Sequence, residues 1–211
     1  MAKTKTFDDN TSRYEMWFSR NEATYLSELE AIRDMLPGGR GVEIGVGTGL
    51  FAAPLGIKTG IEPSKNMRRI ASERGIEVLD GVAEDLPFSD GSFDFALMVT
   101  TICFVDDINA SFREARRVLK PEGSLIVAFV DRESPLGMKY QEHRMESEFY
   151  MDATFFTVDE LVYSLKKAGF MKFMFNQTIF HEPELIDDVE PFREGYGEGS
   201  FVVIRADLSI P

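Results

Sequence analysis

Residues 42–51, VEIGVGTGLF, decide how the rest of this chain is read. A short apolar strand around Val42 and Ile44 runs straight into Gly45, Gly47 and Gly49 at alternate positions. Glycines so placed allow left-handed backbone and close approach to a ligand, and a purely structural strand-to-helix turn is the competing reading. Spacing separates the common ligand loops. The dinucleotide fingerprint G-x-G-x-x-G needs a third glycine at its sixth position, where this chain has Leu50. A phosphate-cradling G-x-x-x-x-G-K-[ST] loop needs a lysine directly after its last glycine, and there is no such lysine here.

What remains is Glu43-x-Gly45-x-Gly47-x-Gly49. An acid near the end of the strand suits a cation better than a pyrophosphate. S-adenosylmethionine, with a sulfonium, an ammonium and no phosphate, matches that requirement. A second acid, Glu62, ends the next strand, KTGIE. An acid about 20 positions beyond such a loop can accept both hydroxyls of a ribose.

Outward from this loop, strands and helices alternate. NEATYLSELEAIRDML places Ala23, Leu26, Leu29, Ile32 and Leu36 near helical spacing, and PGG at 37–39 stops it. LFAAPLG after the glycines reads as a short helix, and SKNMRRIASERG as a longer one capped by Ser64 and ended by Gly75. IEVLDG, FDFALMV and SLIVAFV read as strands three to five, with the helix INASFREARRVLK before the last. A capping box, Thr157 with Glu160, opens the helix TVDELVYSLKKAG. Two final strands, FMKFMFNQTIF and SFVVIRA, are joined by an acidic loop at 181–199 and are expected to be antiparallel. The predicted fold is α/β: a doubly wound, Rossmann-like, seven-stranded and mostly parallel sheet with an antiparallel edge strand. Residues 1–40 form an N-terminal helical cap, and 41–211 form the main domain, with a substrate-facing segment at 131–156.

Composition narrows the partners. Of 211 residues, 44% are hydrophobic and 28% charged, ordinary for a packed domain, but the net charge is −13. That field repels a polyanion, so nucleic acid is not an expected partner. FALMV and SLIVAFV are far shorter than the ~20 apolar residues of a bilayer crossing, so no membrane association is expected. The start has no apolar h-region, and the single Cys103 excludes an internal disulfide. A cytoplasmic protein with no metal site is the expectation.

Taken together the motifs resemble the class I S-adenosylmethionine-dependent methyltransferases, notably the small-molecule branch of quinone-biosynthesis and glycine/sarcosine-type enzymes. The resemblance runs over roughly residues 12 to 206. VEIGVGTGLFAAPLG is similar to the family's first motif and GIEPSKNM to its second. VAEDLPFSDGSFDFALMV is similar to its adenine loop and fourth strand, and EARRVLKPEGSLIVA to the next helix and fifth strand. FFTVDELVYSLKKAGF resembles the approach to the sixth strand. Two positions depart: Val82 replaces an adenine-binding aspartate, and Cys103, read as a small packed residue, stands where histidine is often found.

The resemblance implies that Glu43, Gly45, Val46, Gly47 and Gly49 hold the methionine part of S-adenosylmethionine. It places Glu62 and Pro63 at the ribose, Ala83 and Glu84 at adenine, and Thr100 and Thr101 beside the sulfonium. Arg13 and Arg20 are candidates for the methionine carboxylate. The N-terminal helices would cover the site through Tyr14 and Trp17. In the segment after strand five, His143 is the candidate general base, with Tyr140 and Tyr150 beside it. The expected reaction is methyl transfer to an N- or O-nucleophile of a small molecule, an amine being preferred on charge. A non-catalytic cofactor-binding module and a nicotinamide-dependent oxidoreductase are the alternatives, and the sequence leaves the oligomeric state open.

Overall fold

The computed structural model describes residues 4–209. Residues 1–3 of the expected cap and 210–211 of the main domain lie outside it. Three helices open the chain: α1 (Lys5–Asp9), α2 (Thr11–Arg20) and α3 (Glu22–Met35). Strands β1 (Gly41–Ile44), β2 (Thr59–Ile61), β3 (Glu77–Leu79), β4 (Phe93–Val99) and β5 (Leu119–Val130) come next. Between them lie α4 (Lys65–Glu73) and α5 (Ile108–Val118). The chain ends with α6 (Pro135–Glu142), α7 (Val158–Ala168), β6 (Phe170–Thr178), β7 (Arg193–Glu194) and β8 (Phe201–Leu208).

The sheet order is β3-β2-β1-β4-β5-β8-β6-β7. The first five strands in that order are mutually parallel, and β8 runs antiparallel to both β5 and β6. Two expectations are corrected by this order. There are eight strands, not seven, because the acidic loop contributes β7, which pairs Asn176 with Glu194. The sheet does end on an antiparallel strand, but that strand is the short β7; the long reversed strand β8 is interior, between β5 and β6. Its residues Val202, Val203, Ile204 and Ala206 are fully buried on both faces, the property of a central strand. β6 exposes Met171 and Met174, because the short β7 covers it only at Asn176 and Gln177.

The short helix expected over LFAAPLG is a run of turns instead. Ala53 and Leu55 donate to Gly49 and Phe51, but Pro54 has no N–H to extend the ladder. Elsewhere local chemistry acts as expected. Ser64 Oγ accepts from the Met67 N–H at the start of α4, and both halves of the Thr157/Glu160 capping box are made. Such caps stabilise a helix by about 1 kcal/mol. One apolar cluster, around Phe93, Phe112 and Leu165, packs α5 and α7 on the sheet. The other, around Ile32, Leu97 and Val203, packs α3 on the opposite face. Among the described residues no helix is long and apolar enough to cross a membrane.

This topology places the site. β1 and β4 are neighbours whose connections leave in opposite directions, the switch point at which doubly wound sheets open a crevice beyond their carboxyl ends. The N-terminal helices are pinned over that crevice. Asp8 of α1 accepts from the Ser64 hydroxyl at 2.7 Å and the Asn66 N–H at 3.0 Å. Glu15 of α2 pairs with Arg74 and accepts from Thr48 in the glycine loop.

Candidate active site

A cavity of about 730 Å³ lies over the ends of β1 and β4. That size suits a cofactor together with a second small molecule. Its floor is the chain after Ile44. Gly45 and Val46 both donate to the Ile61 carbonyl, at 2.8 and 2.9 Å, so the loop is tied to β2. Gly47 donates to Glu62 Oε2 at 2.9 Å, and Ser64 donates to Glu62 Oε1 at 2.8 Å.

Two glycines of this loop are required for different reasons. Gly47 has φ +55°, and a Cβ there would point at the cavity, meeting only the Tyr14 side chain, its hydroxyl at 3.6 Å. Gly49 has φ +83°, and its Cβ would stand 2.5 Å from Ile76 Cδ1. The first is open toward a ligand and the second is closed by packing. Gly45 and Gly47 line the cavity, whereas Val46 and Gly49 do not. Val46 instead fills the space beside Gly60.

The two strand-end acids differ. Glu62 lines the cavity, and its carboxyl is pushed up by burial and held back by the two backbone N–H bonds. Each oxygen keeps a second acceptor site, so the group can take two hydroxyls. Glu43 lies behind the wall, 1% exposed, and burial drives its carboxyl well above the usual carboxylate range. Its Oε2 has no hydrogen-bond partner among the described residues. An orphaned buried acceptor costs about 1–3 kcal/mol, a cost relieved by an N–H donor from a bound group. An orphaned acceptor, an open glycine and a paired-hydroxyl acceptor together fit an aminoacyl nucleoside. They fit a pyrophosphate poorly, because Lys139 and His143, the basic side chains that line the cavity, belong to α6 and its C-cap rather than to the loop.

The far wall is built from β4. Thr100 lines the cavity with φ +47°, an uncommon conformation for a β-branched residue. Thr101 Oγ1 lies 3.1 Å from the Val99 carbonyl and 3.3 Å from the Gly45 carbonyl, which joins β4 to the glycine loop. Pro63, Val82, Ala83 and Glu84 form one end of the cavity. Glu84 Oε1 accepts the N–H groups of Asp106 and Asp107 at 2.7 and 3.1 Å, so it braces the loop after β4.

Tyr14, Trp17, Tyr140, Tyr150 and His143 all line the cavity. Tyr140 stacks on Tyr150 with ring centroids 4.7 Å apart, and burial pushes both hydroxyls up. His143 is largely solvent-exposed, its Nδ1 lying 3.2 Å from Glu146. Arg13 and Arg20 do not line the cavity, and Arg13 pairs with Glu148 on the surface. Cys103 is half-buried and donates to the Thr100 carbonyl rather than filling the core.

Sequence reasoning missed Glu28. It lies on α3, lines the cavity and is 7% exposed. A signal was present. Thr24, Glu28, Ala31 and Met35 share the buried stripe of α3, so an acid occupies a position where helical periodicity asks for an apolar side chain. Phe7, Phe104 and Phe149, also unforeseen, complete an aromatic wall.

Comparison with known proteins agrees with this geometry. Residues 42–127 match the family described as a methyltransferase domain. An uncharacterised protein of Methanocaldococcus jannaschii is 47% identical over 201 residues, covering 95% of this chain and 98% of that one. A demethylmenaquinone methyltransferase of Staphylococcus aureus is 31% identical over 103 residues, 46% of this chain and 42% of that one. A Thermotoga maritima crystal structure, described as an S-adenosylmethionine-dependent methyltransferase and possible histamine N-methyltransferase, is 54% identical with a TM-score of 0.95. The match covers 96% of this chain and 98% of that one. With the cofactor-shaped loop and a relative this similar over nearly its whole length, the chain belongs to the class I S-adenosylmethionine-dependent methyltransferases, and S-adenosylmethionine is its cofactor.

Proposed function

We propose that this enzyme methylates the nitrogen of a small-molecule amine. The observation that carries the reading is the make-up of the cavity wall. The acidic residues Glu28, Glu62, Glu84, Asp106 and Glu184 line it together with aromatic rings, while Lys139 is paired with Glu182. Such a surface favours a cation with an apolar body. The description of the Thermotoga maritima relative as a possible histamine N-methyltransferase supports the same class of acceptor.

When bound, S-adenosylmethionine supplies an electrophilic methyl group on a positively charged sulfur. In this reading Glu43, behind the wall, helps to fix the ammonium of its methionine part, directly or through water, and Gly45, Val46, Gly47 and Gly49 shape the cradle. Glu62 and Pro63 hold the ribose side, Ala83 and Glu84 border the adenine end, and Thr100 and Thr101 stand beside the reacting centre. Tyr14, Trp17 and Tyr140 exclude water, which strengthens electrostatic interactions inside the closed site. Residues 1–40 act as the cap, 41–211 as the catalytic domain and 131–156 as the acceptor-facing segment, in a cytoplasmic enzyme.

A hydroxyl acceptor is the second reading. His143 lies at the cavity wall with Glu146 at its Nδ1, an arrangement in which the imidazole can serve as a general base. Transfer of labelled methyl from S-adenosylmethionine to matched amines, phenols and alcohols separates the two. Label in amines alone supports the proposal. Label in phenols or alcohols alone, lost in His143→Ala, supports the second reading and overturns the first.

A further inference from the structure

Glu28 belongs to none of the cofactor motifs, yet it lines the same cavity. It projects from α3 one turn beyond Thr24, and both line the wall. Burial is what shifts its carboxyl, and the group has neither an ion-pair nor a hydrogen-bond partner among the described residues. Around it the wall is aromatic: Tyr14 from α2, Tyr140 from α6, and Tyr150 stacked on Tyr140. Tyr14 also approaches Phe18 at 5.0 Å and Phe149 at 6.2 Å between ring centroids. The Tyr14 hydroxyl is raised first by burial, then by the charges of Glu43, Glu62, Glu15 and Glu28. Tyr14 therefore feels both the loop acids and Glu28.

Buried carboxylates are normally paired or hydrogen-bonded. One left alone among aromatic rings, within a cavity large enough for two molecules, lacks a cationic partner that a ligand can supply. Aromatic faces attract the same kind of ion. Lys139 is the lysine in the wall, and it is already paired with Glu182, with Glu184 at 4.0 Å.

We propose that Glu28 is the acceptor-recognition carboxylate: it receives a primary or secondary amine as its ammonium ion, between the tyrosines, and takes the proton that must leave before attack. This rests on the amine reading above and assigns a residue to it. Without a ligand, burial holds the Glu28 carboxyl up at about 8, so at neutral pH it carries a proton. An entering ammonium displaces that proton to solvent and forms the ion pair. Passing one proton from nitrogen to Glu28 then bares the lone pair. The nitrogen forms its bond to the methyl carbon as the carbon–sulfur bond breaks, and that electron pair stays on sulfur. Positive charge moves from sulfur to nitrogen, the product leaves as a methylated ammonium, and Glu28 is left protonated as it began. The net reaction releases one proton.

The test is calorimetric titration of the protein saturated with S-adenosylhomocysteine. The probes are 2-phenylethylamine, cyclohexylamine and 1-butylamine, each beside its alcohol. Two buffers of different ionisation heat report proton release. At least one amine is expected to bind tenfold or more tightly than its alcohol, releasing close to one proton. In Glu28→Gln the preference and the proton release disappear while S-adenosylhomocysteine affinity is kept. Glu28→Asp, which retains the charge on a shorter arm, keeps part of both. An amine preference equal in wild type and Glu28→Gln overturns the assignment and leaves the amine reading standing. No amine preference in wild-type protein that binds S-adenosylhomocysteine overturns both.

Discussion

Gly47 donates its amide hydrogen to Glu62 Oε2 across 2.9 Å, so the loop after β1 and the acid that ends β2 form one unit. Ser64 donates to the other oxygen. A glutamine at 62 cannot replace this, because either amide orientation turns an NH₂ donor toward one of those N–H groups. Glu62→Gln and Glu62→Ala are therefore both expected to weaken S-adenosylmethionine binding by about 30-fold or more, roughly the 2–3 kcal/mol of a lost charged hydrogen-bond pair. Equal affinity in Glu62→Ala and wild type would contradict the ribose role.

The loop glycines should respond differently to alanine. At Gly49 the new Cβ meets Ile76 at 2.5 Å in left-handed backbone, and a stability loss of about 2–3 kcal/mol is expected from crowding and strain together. At Gly47 the Cβ makes only an ordinary contact with Tyr14 at 3.6 Å, so the stability loss, set by the left-handed backbone, stays about 1 kcal/mol while cofactor affinity collapses. Chemical denaturation and calorimetry on both variants check the contrast. The opposite pattern would mean that Gly47 is the structural glycine.

Glu28 should leave a mark on the pH dependence of stability. Its carboxyl moves from 4.5 to about 8 through burial, so the folded protein binds this proton more tightly than the unfolded chain. The stability associated with the neutral carboxyl is intact below 4.5. It falls as pH rises, and its loss is complete above about 8. Glu28→Gln, neutral throughout, is expected to gain on wild type by about 2–4 kcal/mol between pH ~5 and ~8. A pH-independent difference in denaturation midpoints would show that the carboxyl is not buried as described.

Thr100 holds φ +47° at the cavity wall. A β-branched residue there is strained by about 1–3 kcal/mol, and glycine removes that strain. Thr100→Gly is expected to unfold within about 1 kcal/mol of wild type, despite glycine's greater freedom in the unfolded chain. Its methyl-transfer rate should still fall, because the wall loses a side chain. A stability loss above about 2 kcal/mol would argue against the strain.

Much of the fold was legible before the structure because the signals were local. β4 matches FDFALMV, and Ser64 caps its helix with its own side chain. The glycine loop announced its ligand through what it lacked, a sixth-position glycine and a lysine. The position of β8 was harder, because pairing across long connections is not a local property. Its clue was four nearly consecutive apolar residues, Val202 to Ile204 and Ala206, which ask for cover on both faces. β7 had no such clue, being two exposed residues with no apolar pattern. Glu28 was overlooked because only its burial on the α3 stripe distinguishes it from a surface acid. The exposure of Arg13 and Arg20 likewise comes from how α2 packs, which no motif encodes.

The loop from Gly45 to Gly49 and the acid Glu62 are built to bind S-adenosylmethionine rather than a nicotinamide dinucleotide, and every other assignment depends on that choice. Calorimetric titration of ligand-free protein with S-adenosylmethionine and, separately, NADH, repeated with Glu62→Ala, decides it. Micromolar binding of S-adenosylmethionine is expected, lost in the variant, with no heat from NADH. Folded wild-type protein that ignores S-adenosylmethionine, or that binds NADH instead, would contradict it.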